Sequence, residues 1–329
     1  NTFFTGLAHV TLSGVGCPEM GTLLLMPTAG QLDVDPRNYG STYKDEKATP
    51  GYYSLYLNKY NIKCEATTTL RTSIERFTFR KGQANILLNI GDGLTNETGG
   101  SIRRVSDTEI EGMRLLGTFC YNRDAVFPIY FVMRISKPAK QQGFWKKQPP
   151  MQGVEAQWDQ DNGKYKVYNN YRRELAGNEL GYFYTFDADE GEQIEVQIGV
   201  SFVSTANARE NLKAEQRGFE FDNVRTAARQ QWAETLNRIT VEGGTQQQKR
   251  IFYTALYHTQ IHPTILQDVN GEYPQMENGR IGKIQTGNRY TVFSLWDTYR
   301  NLHQLETLLY PEQQEDMVRS MIDMYKEWG

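Results

Sequence analysis

Three cysteines in 329 residues, Cys17, Cys64 and Cys120, are too few and too far apart for the closely spaced pairs of a zinc site. Their odd number leaves at least one thiol unpaired, so no disulfide framework is implied and the compartment stays open. Long apolar runs are missing too: no stretch approaches the ~18 residues needed to span a bilayer. Charge of one sign is not in excess, with 36 basic and 39 acidic residues giving a net −3. No basic stripe interleaved with aromatics occurs, which argues against a nucleic-acid partner. The opening Asn1-Thr-Phe-Phe-Thr-Gly6 lacks the charged and apolar regions of a signal peptide, so a leader is expected to be absent or already removed.

What is present is globular material, 39% hydrophobic and 23% charged, and the length suits two domains better than one core. The 20 Tyr, 15 Phe and 5 Trp suit pleated, half-buried strands; they also suit sugar stacking, and composition alone favours the strand reading. Strands are expected at Gly21–Pro27, Tyr52–Leu57, Ile62–Arg71, Arg76–Phe79, Ile86–Ile90, Gly117–Cys120, Ile129–Ile135, Gly181–Phe186 and Ile194–Val203. Short strands with turn residues and no helices between them predict an N-terminal antiparallel β-sandwich over residues 1–205. The stretch Lys137–Gly153, with Pro138, Pro149 and Pro150, reads as an excursion between strands. Asn96-Glu97-Thr98 is a glycosylation sequon, relevant only in a eukaryotic secretory host.

Near Thr205 the apolar period lengthens from two to 3.6. Val224, Ala228, Trp232, Leu236 and Ile239 mark linking helices over residues 206–244, with Asp222 as a candidate cap. Thr245-Gln-Gln-Gln248 reads as a capping box opening a helix with the pairs Ile251/Ala255 and Phe252/Leu256 on one face and Pro263 at or beyond its end. A further helix begins at Ser294, with Leu295, Tyr299, Leu302, Leu305 and Leu309 as its stripe and Pro311 closing it. The last runs through Met317, Met321 and Tyr325. Residues 245–329 thus begin an all-α domain, too short to complete one. Helices 294–310 and 311–329 are expected to leave apolar faces uncovered.

Tyr290-Thr-Val-Phe-Ser-Leu-Trp-Asp-Thr-Tyr-Arg300 is the most informative segment. On one continuous helix Trp296, Arg300 and His303 would share a face, with Asp297 beside it. An indole, a carboxylate and a guanidinium make a sugar platform facing a pocket shared with the sandwich. Equally, Asp297 in a first turn after Ser294 stabilises any helix through its dipole, and an Asp297–Arg300 pair can be surface decoration. His258 and His262 lie four apart but without the glutamate of a zinc-protease motif, so structural histidines are favoured over a metal site. Asp268-Val-Asn-Gly-Glu272 lacks the closing glutamate of a calcium loop and reads as an Asx-type turn. His9, Ser13 and Cys17 sit with Gly14 and Gly16; a turn lining a cleft fits them better than a nucleophile with its base, because no Gly-x-Ser-x-Gly elbow is present.

These segments resemble glycoside hydrolase family 92. The resemblance is carried by Phe252-Tyr-Thr-Ala-Leu-Tyr-His258-Thr, Asp268-Val-Asn-Gly-Glu-Tyr273 and, most specifically, Tyr290-Thr-Val-Phe-Ser-Leu-Trp-Asp-Thr298. Leu12-Ser-Gly-Val-Gly-Cys17, Leu24-Leu-Met-Pro27 and Thr49-Pro-Gly-Tyr-Tyr53 extend it through the sandwich, and the matches run in order from near residue 9 to residue 328. The resemblance implies a sandwich, linking helices and the start of an (α/α)6 toroid with the active site between the domains. It implies a calcium-dependent, inverting exo-α-mannosidase acting on mannose-containing glycans, secreted to the periplasm or cell surface. Trp296 and Asp297 are the implied contacts to the terminal mannose; Arg300, His9, Ser13 and Cys17 are weaker cleft-lining candidates. Where the family often has a second histidine after His9, this chain has Thr11. The acid, base and calcium ligands are expected beyond Gly329. The alternative is a carbohydrate-binding sandwich or fragment without hydrolytic activity.

Overall fold

Alternating side chains sort the first 201 residues into two antiparallel sheets, in a computed structural model that describes residues 3–11, 20–94, 99–117, 126–148, 164–169, 172–276 and 279–328. One sheet has ten strands. A meander of Ser41–Thr49, Tyr52–Leu57, Ile62–Thr68 and Thr72–Thr78 leads to Gln193–Ser201, which pairs in turn with Phe127–Ile135 and, beyond it, Glu109–Leu116. The other has six, with Leu180–Ala188, Gly82–Asn89 and Met20–Ala29 at its centre. Between the sheets lies one continuous core that includes Leu25, Leu55, Phe77, Leu88, Phe131, Trp145, Tyr182 and Ile198. Cys64 belongs to it, and burial pushes its thiol well above the ordinary range.

The strands depart from expectation in part. Lys137–Gly153 is not simply a loop: Gln141–Gln148 is a strand between Leu180–Ala188 and Lys164–Asn169, and buries Phe144 and Trp145. The expected strand at Gly117–Cys120 falls, apart from Gly117, outside the described residues, and the strand found ahead of it is Glu109–Leu116. Ser41–Thr49 was not anticipated, because only its first residue is buried and its charges face water at the edge of the core.

The helix Thr205–Glu215 lies on the outer face of the ten-stranded sheet, where Ala208 and Leu212 pack on Val132. Gly199 makes this approach possible: a Cβ there would stand 2.6 Å from the Ala208 carbonyl oxygen and 2.8 Å from Leu212 Cβ. Phe221–Leu236 follows, its Phe221 ring edge-on to Tyr52 at 6.5 Å and under the Arg76 guanidinium at 4.2 Å. Asp222 does not cap this helix; Glu220 holds the cap position, and Asp222 sits in the first turn, accepting from Arg76 at 2.8 Å.

Gln246–Thr259 opens with the expected capping box, Thr245 and Gln248 each accepting from the other's backbone N–H. Its expected apolar face is only half used: Leu256 is buried, whereas Ile251 and Ala255 face solvent. The expected helix from Ser294 to Pro311 is two helices, Leu295–Thr298 and Leu302–Leu309, interrupted at Tyr299–Asn301. Pro311–Trp328 completes the described chain, with Leu308, Ile322, Tyr325 and Trp328 exposed, as the uncovered faces require. No described helix is long and apolar enough to cross a membrane.

Candidate active site

The backbone approaching the Ser294 turn is held in an unusual shape. Val292 adopts φ 60°, a left-handed conformation costly for a β-branched residue. Ser294 N–H then donates to Nε2 of His262 at 3.2 Å, while its carbonyl accepts from the N–H groups of Asp297 at 3.0 Å and Thr298 at 3.1 Å. The Ser294 hydroxyl donates to the Asp297 carboxylate, which fixes that side chain against its own turn. Trp296 projects outward at 88% exposure, and Asp297 and Arg300 are exposed as well.

The break after Thr298 undoes the single face expected of Trp296, Arg300 and His303. Arg300 folds back on its neighbour, with Nε donating to the Tyr299 hydroxyl at 3.1 Å. His303 instead lies between Thr298 Oγ1 at 3.0 Å and Gln314 Oε1 at 3.1 Å. Trp296 and Asp297 line neither of two cavities described at the junction of the helices and the sandwich. His258 and His262 do not share a helix face either: the helix ends at Thr259, leaving His258 exposed and His262 buried in the following turn.

His9 is buried at the edge of the six-stranded sheet. Its Nδ1 lies 2.7 Å from the Leu23 carbonyl and its Nε2 3.0 Å from Glu75 Oε1 on the opposite sheet. Burial lowers the imidazole pKa, but the Glu75 carboxylate more than offsets this and leaves the value raised. With both ring nitrogens engaged, His9 ties the two sheets together. Ser13 and Cys17 lie outside the described residues, as does the sequon at residues 96–98.

Two buried carboxyls stand at the junction of the helical segment and the sandwich, Asp268 of the expected Asx-type turn and one that the sequence did not single out. Asp268 accepts from Ser201 Oγ at 2.6 Å on the last sandwich strand, and from Asn207 at 2.9 Å and Asn211 at 2.6 Å on the first linking helix. Burial is the largest influence on it and leaves its pKa raised despite these donors. The turn that presents it is an Asx turn made by Asn270, whose Oδ1 accepts from Glu272 N–H at 2.9 Å, with Gly271 at φ 84°. Both oxygens of Asp268 are taken by protein donors, so the segment does not fit a calcium ion. Among the described residues no three His, Cys, Asp or Glu side chains come together as a metal site.

The second carboxyl is Glu306, only 1% exposed. It lines a cavity of about 310 Å³ bounded by the Thr68–Leu70 turn of the sandwich, the Phe221–Leu236 helix, the segment 259–265 and the two last helices. Gln260 Nε2 donates to its Oε1 at 2.8 Å and its Oε2 has no partner. Burial raises its pKa to about 7. A signal for it existed: a lone carboxylate set within the leucine stripe of residues 302–309.

A β-sandwich that leads through packed helices into a helical segment is an arrangement shared with solved glycoside hydrolases. The family is settled by sequence: residues 1–201 match the glycosyl hydrolase family 92 N-terminal domain and residues 207–329 its catalytic domain, so the chain belongs to family 92. A family GH92 alpha-mannosidase from Bacteroides thetaiotaomicron, 30% identical, superposes with a TM-score of 0.87 over 99% of this chain and 43% of its own. A family GH92 inverting mannosidase from the same organism is 27% identical, with a TM-score of 0.78 over 94% of this chain and 39% of its own. An uncharacterized secreted glycosidase of Arthroderma benhamiae is 26% identical over 82% of this chain and 36% of its own length. The chain therefore spans less than half the length of these relatives.

Proposed function

We propose that the protein is an exo-acting α-mannosidase that releases terminal mannose from α-mannosides outside the cytoplasm. The observation that carries this reading is the likeness, over 99% of the chain, to a solved α-mannosidase of the same family. The same enzyme has also been solved with mannoimidazole, and the fungal relative is described as secreted. Within this chain the Ser294–Thr298 turn supplies the substrate contacts. The Trp296 indole offers an apolar face to one side of a pyranose, and the Asp297 carboxylate accepts from sugar hydroxyls. In a polypeptide of the relatives' length, further chain closes over this exposed turn and makes it one wall of a pocket.

The proposed chemistry is single displacement with inversion, one carboxylic acid protonating the leaving oxygen while a second carboxylate, about 6.5–9.5 Å away, activates water. The calcium requirement is part of the proposal; among the described residues no three His, Cys, Asp or Glu side chains come together to hold the ion. The test is to follow hydrolysis of α-1,2-mannobiose by proton NMR with a protein of the relatives' length. The β-anomer of mannose should appear first, and a chelator should abolish its release; first release of the α-anomer, or chelator-resistant turnover, contradicts the mechanism.

A further inference from the structure

We propose that the cavity around Glu306 is a binding site for one neutral, hydroxyl-rich molecule of monosaccharide size. Its volume, about 310 Å³, lies at the low end of ligand pockets, roughly 300–1,000 Å³, which allows a single ring and excludes a longer glycan. The lining decides the chemistry. Among the described residues no lysine or arginine contributes to it, so an anion finds no permanent counter-charge. Glu306 is the only acidic side chain in the wall among the described residues, too few for a divalent cation.

Hydroxyls and amides, among them those of Thr68, Thr69, Gln231, Thr235 and Gln313, make up most of the remaining polar lining together with the His262 ring, and such groups both donate and accept as sugar hydroxyls do. Trp232 and Tyr290 add aromatic wall. At the base sits the Glu306 carboxyl, buried, held through one oxygen by Gln260 and with its other oxygen unpartnered. A buried polar atom left without a partner is costly, and a ligand hydroxyl would remove that cost. Near neutral pH this carboxyl is part protonated, so it can also donate. The site is separate from the Trp296–Asp297 turn, whose side chains do not line it. The inference rests on the lining and not on the proposed hydrolysis.

The test is equilibrium binding by saturation-transfer NMR with the intact protein, using mannose, glucose and inorganic phosphate as probes. At least one of the two sugars should bind, and phosphate should not. Glu306→Leu should weaken sugar binding by roughly tenfold or more, the usual loss when a buried charged or acid partner is removed. Gln231 is exposed on its helix, so Gln231→Trp should block the cavity without disturbing the fold, abolishing binding with an unchanged melting temperature. Asp297→Ala should leave the part of the binding that depends on Glu306 intact. No sugar binding, binding indifferent to both cavity substitutions, or binding lost with Asp297→Ala instead would overturn the assignment. None of these readouts uses turnover, so they stand apart from the mannosidase reading.

Discussion

The sandwich and the helical segment after Thr245 are held together by different physics. In the sandwich, side chains from two sheets interlock over a long apolar core, with Leu57, Phe77, Ile86 and Phe183 fully buried. In the helical segment few large apolar side chains are buried. Leu256, Tyr273, Tyr290, Tyr310 and Met317 are, while Ile251, Leu295, Leu308, Ile322 and Trp328 face solvent. That segment is fixed instead by polar pins: Asp268 against Ser201, Asn207 and Asn211, and Arg289 against the Ser320 carbonyl at 3.0 Å and Glu327 at 2.8 Å. The difference teaches that a helical unit can be placed on a finished core by directional bonds before its own apolar faces are covered.

Substitutions should separate the two regimes. Phe77→Ala in the sandwich should cost about 3–5 kcal/mol in urea denaturation, the usual range for truncating a buried aromatic ring. Ile322→Ser, on an exposed face, should shift stability by about 0.5 kcal/mol or less in this chain. Equal losses from the two would erase the contrast. Asp268→Ala leaves three buried donors without their acceptor and should cost roughly 3 kcal/mol. Its signature should be faster limited proteolysis within residues 245–328 while the sandwich stays protected; uniform loss of protection would show that the pin is not local.

Glu306 sharpens the comparison through pH. Its pKa is raised by burial from 4.5 to about 7, so between those values the folded state keeps a proton that the unfolded chain has released. The stability that Glu306 contributes should therefore be fully present below about pH 4.5, fall as pH rises through about 7 and level off above. The span amounts to about 3 kcal/mol at most, at 1.36 kcal/mol per unit. Tyr290, Tyr310 and His262 are the other titratable groups at this junction, and the Gln260 amide opposes the rise. Glu306→Gln should flatten this part of the pH–stability curve, as read by thermal melts across pH 5–8. A slope unchanged in that variant would assign the effect elsewhere.

Much of this was legible in the sequence where burial imposes a period. The central strands, the capping box at Thr245 and the change of period near Thr205 all follow from alternation or cap chemistry. Edges were harder, because Ser41–Thr49 has only its first residue buried and reads as surface. Gln141–Gln148 hid behind prolines and lysines, although Phe144 and Trp145 marked it as a strand with a buried face. The helix break at Tyr299–Asn301 left no mark in the leucine spacing, since Leu302, Leu305 and Leu309 keep their period within the second helix. Of the candidate site, the residues Trp296 and Asp297 came from their motif alone. Their surroundings depend on tertiary bonds such as His262 to Ser294, which no local pattern encodes.

The central claim is that the Ser294–Thr298 turn carries the contacts to the terminal sugar. Its most direct test is kcat/KM for α-1,2-mannobiose in Asp297→Ala, within a protein of the relatives' length. Loss of a charged substrate contact predicts a fall of roughly a hundredfold or more, with the melting temperature unchanged because Asp297 is exposed. Activity within about twofold of the unsubstituted protein, below the change expected from even a single neutral hydrogen bond, would contradict the claim.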